Sequence, residues 1–199
     1  MKFLQYLFIS LSHKILKLLP YTSIRILSVP IGTLYFLLTF RSSIKLFRRK
    51  EIFNELKINY KPLIVKINYT RYWLETLWLT NKNFSKYISP HVEIENLEYV
   101  EKLKKQYPGL IFALPHLGNW EFAIPIGNSI KLNLLAVAEP LNNSYVLNWF
   151  KSLRESLGIE IIIGGKGQNT FDLLVNKLKS GKDICLLSER SIKKSGVAT

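Results

Sequence analysis

The chain has 199 residues, enough for one domain with a real core and an appended helical region. It is basic, with 28 Lys and Arg against 14 Asp and Glu for a formal charge of +14, and 48% of its residues are hydrophobic. A single cysteine excludes an intramolecular disulfide. The three histidines, His13, His91 and His116, are dispersed and lack a paired metal-ligand spacing, so no metal is expected.

The charge is unevenly spread. Through Lys66 the chain carries 12 basic residues against two acidic ones, and the remainder carries 16 against 12. A basic segment suggests nucleic acid first. Here, however, the cations alternate with apolar runs, L-Q-Y-L-F-I and V-P-I-G-T-L-Y-F-L-L-T-F. That mixture suits an anionic membrane surface and not a duplex, so no nucleic-acid partner is expected. The longest uncharged run, Ile26 to Phe40, has 15 residues and contains Pro30 and Gly32. A span needs about 20 apolar residues, which predicts a re-entrant or interfacial helix; a buried helix of a soluble core passes the same test. Arg41, Lys45, Arg48, Arg49 and Lys50 follow, suited to lipid phosphates or to a solvated helix face. Their position favours the cytoplasmic face of the cell membrane, with the protein peripheral or monotopic. A signal peptide is not indicated, because Lys14 and Lys17 interrupt the first apolar stretch and no small-residue cleavage site follows.

Residues 62–80 predict a helix, with Tyr69, Trp73 and Leu77, and Leu74 and Trp78, recurring at helical spacing as a packing stripe. Pro90 marks a boundary between an N-terminal basic, apolar helical region (1–89) and an α/β domain (90–199). Beyond it strands and helices alternate: strand 92–94, helix 96–106, strand 110–114, helix 120–130, strand 133–138, helix 144–157, strand 159–163, helix 169–180 and strand 184–188. Asn96 and Asn143 are placed as N-caps, and Gly158 and Gly181 as left-handed helix ends. The alternation predicts a layered α/β domain with a largely parallel sheet.

The most informative stretch is I-F-A-L-P-H-L-G-N-W-E, Ile111 to Glu121. His116 and Glu121 are five residues apart, a poor spacing for one face of a continuous helix. The spacing works if His116 lies on the loop leaving a strand and Glu121 in the first turn of the next helix, with Asn119 as N-cap. A carboxylate there can accept from His Nδ1–H and leave Nε2 free as a base. A partly buried histidine beside a capping glutamate fits the spacing equally well.

These residues carry a resemblance. His116 to Glu121 matches the glutamate version of the His-x-x-x-x-Asp/Glu motif of glycerolipid and lipid A acyltransferases. The surrounding A-L-P-H-L-G-N-W-E resembles the lipid A lauroyl/myristoyl acyltransferase-like branch, and within it the actinobacterial phosphatidylinositol mannoside acyltransferases. Three later blocks agree in order: A-V-A-E at 136–139, F-K-S-L-R-E-S-L-G at 150–158 and C-L-L-S-E-R at 185–190. The resemblance implies an α/β/α acyltransferase domain moving a fatty acyl group from acyl-CoA or acyl carrier protein to a glycolipid hydroxyl. The thioester is then a substrate, and no resident cofactor is implied. His116 and Glu121 would be catalytic, with Asn119 and Lys166 toward substrate. Glu139, Glu189 and Arg190 end apolar strands whose carboxyl ends should lie on the same side as His116, which makes each a substrate contact or, equally, part of a polar loop. Two departures stand out: Pro140 where the family has arginine, and Ser191 where it has a second acid. Family members also continue beyond S-G-V-A-T, so the chain is expected to be part of a longer protein.

Other readings carry less chemistry. Cys185 lies inside an apolar run, as a core thiol does, although a cysteine nucleophile near His116 is an alternative. Gly164-Gly165-Lys166-Gly167 sits between strand and helix but lacks the frame of a nucleotide loop, which leaves a connecting loop with Lys166 as a phosphate contact. A hydrolase is disfavoured by the absence of G-x-S-x-G. A non-catalytic membrane-binding paralogue is the remaining alternative.

Overall fold

A computed structural model describes residues 1–40, 61–115, 117–165 and 169–187. The basic cluster Arg41, Lys45, Arg48, Arg49 and Lys50 lies outside them. The chain divides into two compact units, Leu11–Leu79, and Met1–Ser10 together with the residues from Thr80 onward. The stretch 80–89, assigned from the sequence to the N-terminal region, thus belongs with the sheet.

Helix α1 (Lys2–Leu16) is followed by α2 (Tyr21–Leu38) and α3 (Pro62–Trp78). Pro62 opens α3, where a missing N–H costs nothing. In the unit 11–79, α2 buries Ile24, Ser28 and Gly32, one stripe at four-residue spacing, against α3. A Cβ at Gly32 would lie 2.6 Å from Ile67 Cα, so only glycine allows this approach. Several buried polar groups in this unit are paired, although Arg71 Nε is buried without a hydrogen-bond partner among the described residues. Tyr21 donates to Glu75 Oε1 at 2.8 Å, Ser28 to the Arg25 carbonyl at 2.6 Å and Trp78 Nε1 to the Leu19 carbonyl at 2.9 Å. Ile26, Leu34, Leu37 and Leu38 of α2 and Ile64 and Val65 of α3 stay exposed. Arg25 breaks the uncharged run but not the helix. As a result α2, with 18 residues, is long and apolar enough by length and composition to cross a membrane, which the shorter run did not suggest.

The unit containing Thr80 onward holds a four-stranded, all-parallel sheet in the order β1-β4-β2-β3. Its strands are β1 (Ile111–Leu114), β2 (Leu134–Ala138), β3 (Glu160–Ile163) and β4 (Asp183–Leu187). Between them run α6 (Ala123–Ser129), α7 (Ser144–Leu157) and α8 (Thr170–Lys179); α4 (Asn81–Tyr87) and α5 (Leu97–Gln106) precede β1. Leu134, Leu135, Ile161 and Ile184 of the sheet are buried, as are Ile124 of α6 and Leu153 and Leu157 of α7. The helix predicted over 144–157 is observed at those bounds, capped by Asn143 Oδ1 and ended by Gly158 at φ 104°.

Two predicted elements differ. No strand forms at 92–94: the segment leaves a 3-10 turn (Ser89–His91), and Asn96, at φ 55°, turns it into α5. Three residues with Glu93 in the middle offer no apolar run to pair. The helix predicted over 120–130 is a 3-10 turn (Trp120–Phe122) followed by the short α6. Pro125 has no N–H to return to the Glu121 carbonyl, so the α ladder cannot begin there.

At the amino ends of the strands, one buried carboxylate joins three segments. Asp183 Oδ1 accepts from Leu110 N at 3.0 Å, Oδ2 accepts from Asn133 N at 2.8 Å, and Lys104 Nζ lies 2.8 Å from Oδ1. Asp183 therefore satisfies the chain just before β1 and β2, its two neighbours in the sheet. Asp183→Ala would leave two backbone donors without an acceptor and the Lys104 ammonium with only the Pro108 carbonyl, at 3.2 Å. A loss of about 3 kcal/mol or more of unfolding free energy is expected by denaturant titration.

Candidate active site

In a parallel sheet every strand ends at the same edge, and in open α/β sheets ligand sites form outside it. Leu114, the last residue of β1, is in register with Leu187, the last of β4, and Ala138 of β2 with Ile163 of β3. Four connections therefore begin at one edge. Among the expected site residues, Asn119, Glu121 and Glu139 are described. His116, Lys166, Glu189 and Arg190 lie outside the described residues, as do Ser188 and Ser191.

The connection from β1 is short and exposed. Leu117 N donates to the Pro115 carbonyl at 2.8 Å, Leu117 is exposed, and Gly118 adopts φ 61°. That left-handed conformation favours glycine, and a Cβ there would meet nothing within 4 Å, so backbone geometry and not crowding selects it. Asn119 then caps as expected, its Oδ1 accepting from Glu121 N at 3.2 Å. Glu139, the residue after β2, is exposed.

Glu121 is 1% exposed and ionically paired. Arg154 of α7 approaches with Nη2 at 2.7 Å from Oε1 and Nε at 3.1 Å from Oε2. This two-pronged geometry is the strong form of a carboxylate–guanidinium contact. The guanidinium also lies over the Trp120 ring at 4.7 Å from its centroid and near Phe150 at 5.6 Å. Phe150 and Arg154 are one helical turn apart, so α7 presents an aromatic–cation pair to the turn that carries Glu121. Arg154 had no assigned role at the sequence level. Its signal was its place in the block 150–158, on the same face as an aromatic residue.

Cys185 lies within β4, in register with Phe112 and Ala136. Burial, with a smaller contribution from the charge of Asp183, pushes its thiol up to about 11. Roughly one molecule in ten thousand would then carry the thiolate at neutral pH, the opposite of an activated nucleophile.

The sequence of the whole chain decides the family. The model of the bacterial lipid A biosynthesis acyltransferases matches residues 2–199. The chain belongs to that family. Similar curated proteins include the phosphatidylinositol mannoside acyltransferase of Mycolicibacterium smegmatis, 30% identical over 134 residues, 65% of this chain and 43% of that protein. That of Mycobacterium tuberculosis is 30% identical over 133 residues, 65% of this chain and 42% of that protein. The matched region thus spans less than half the length of these relatives. The resemblance stated from the motif residues agrees with both findings, and the mixed α/β fold with its parallel sheet is the one it implied.

Proposed function

We propose that the protein is a membrane-associated O-acyltransferase that moves a fatty acyl group from an acyl thioester, acyl-CoA or acyl carrier protein, to a sugar hydroxyl of a glycolipid such as a phosphatidylinositol mannoside. The observation that carries this reading is the family match over residues 2–199, which includes the His-x-x-x-x-Glu spacing after β1. The relatives' names support the glycolipid acceptor. The family description favours a lipid A-type acceptor as the second reading, with lysophospholipid as a related one.

In the proposed reaction His116 removes the proton of the acceptor hydroxyl, and the oxygen attacks the thioester carbonyl. The new C–O ester bond forms, the C–S bond breaks, and the thiolate leaves with the proton returned from the imidazolium. A thiol near pKa 8.5 is a far better leaving group than an alcohol, so no acyl-enzyme is needed. Glu121, with Arg154 behind it, supplies a fixed negative charge near the imidazolium. Of the backbone N–H groups of Leu117 to Asn119, expected as oxyanion donors, that of Leu117 donates to the Pro115 carbonyl, so the proposal rests on Gly118. Glu139, Lys166, Glu189 and Arg190 are the proposed substrate contacts, all at or following strand ends. The basic, apolar N-terminal region holds the protein peripherally or monotopically at the cytoplasmic face of the cell membrane, and an anionic lipid surface is its partner there.

The test is a reaction with labelled acyl thioester, run with and without added glycolipid. Label is expected in the lipid, with mannoside and lipid A precursors compared side by side, and Cys185→Ser should retain transfer. A stoichiometric acyl-protein lost in Cys185→Ser would overturn direct attack. Label released only as free acid would indicate a hydrolase.

A further inference from the structure

The turn that carries Glu121 is held by two other elements of its unit. The Phe122 ring lies 6.4 Å from that of Phe84, a buried residue of α4. The other two residues of the turn, Trp120 and Glu121, meet one and the same side chain, Arg154 of α7. Glu121 accepts from the edge of the guanidinium, while Trp120 presents its ring face to it and Phe150 a second ring. Adjacent positions on one turn thus supply both the carboxylate and an aromatic wall for the same cation.

The contacts with the carboxylate are unequal. Arg154 Nη2 and Nε both reach Oε1, at 2.7 and 3.2 Å, whereas Oε2 receives Nε alone among the described residues, at 3.1 Å. An ionised carboxylate has about four lone-pair sites, so Oε2 keeps room for a further donor. Which oxygen is left in this way depends on how the guanidinium is turned. The pair is largely buried, so water contributes little to holding it in one orientation. The rings of Trp120 and Phe150 restrict that rotation, because a planar cation turned away from them loses its attraction to their faces.

From this we infer that Trp120, assisted by Phe150, is a positioning residue. It fixes the rotation of the Arg154 guanidinium and so leaves Oε2 of Glu121 as the oxygen open to the group that carries the proton in the reaction. Trp120 acts through Arg154 and Glu121 and not on the substrate. The relevance to turnover rests on the acyl-transfer reading above; the clamp on Arg154 does not.

The test follows the Arg154 side-chain N–H and turnover in the same variants of the full chain. In nitrogen-15 NMR the Arg154 Nε–H signal, identified by its loss in Arg154→Lys, should exchange slowly with water in the parent protein. Trp120→Leu is expected to speed that exchange about tenfold and to lower kcat about tenfold, with KM for the acyl thioester unchanged. Trp120→Phe keeps a ring face at the same place and should restore most of both. Phe150→Leu reads the second ring in the same way and carries the test if Trp120→Leu does not fold. Unchanged exchange in the leucine variants, equal losses in Trp120→Leu and Trp120→Phe, or a change in KM alone would each overturn the inference. If exchange responds as expected but the parent protein transfers no acyl group, the clamp stands and the acyl-transfer reading falls.

Discussion

Replacing His116 with alanine is expected to lower acyl transfer by at least about 100-fold, the usual scale for a positioned general base. The motivation is its place in the sequence, two residues after the end of β1 and five before a buried, charge-paired glutamate. The measurement is initial-rate acyl transfer to glycolipid at saturating thioester, with the melting temperature as a control. An interaction made only as the proton moves lowers kcat and kcat/KM together and leaves thioester affinity unchanged. Equal activity in His116→Ala and the parent protein, with both folded, would remove His116 from the chemistry.

Glu121→Gln is expected to lower both turnover and stability, and the two losses can be separated. Glu121 is 1% exposed and the Arg154 side chain 17%, so a neutral amide leaves a guanidinium uncompensated in a poorly solvated place. Removing one partner of such a pair costs about 3–5 kcal/mol. Pairing Glu121→Gln with Arg154→Met removes the stranded charge and keeps the long side chain over Trp120 and Phe150, so most of the stability should return. Turnover should not return if the carboxylate supports the imidazolium. Recovery of both in the double variant would reduce Glu121 to a structural role.

The sequence alone determined the four strands, the helices α5, α7 and α8 and their order, because each was signalled locally. Apolar runs marked β1 to β4, Asn119 and Asn143 capped as their side chains dictate, and Gly158 ended α7 in the left-handed conformation. The alternation of those elements was sufficient for a parallel sheet, since a strand–helix–strand unit in one sheet returns in the same direction. Local signals failed where a partner was required. The segment 92–94 has a strand's apolar ends but nothing to pair with, and Pro125 splits a helix that hydrophobic period alone would run through.

Only the tertiary structure decided what faces what across long sequence separations. Strand order β1-β4-β2-β3 inserts the last strand between the first two, which pairing geometry sets and no local pattern encodes. Arg154 reaches Glu121 because α7 crosses the turn after β1, and Asp183 joins the starts of β1 and β2 because β4 lies between them. Asn143 likewise holds Lys2 and Gln5, so an N-terminal segment read as a separate region begins within the sheet unit. A buried charge must be matched in three dimensions, since leaving it unpaired costs several kcal/mol, and the matching residue can come from any distance along the chain.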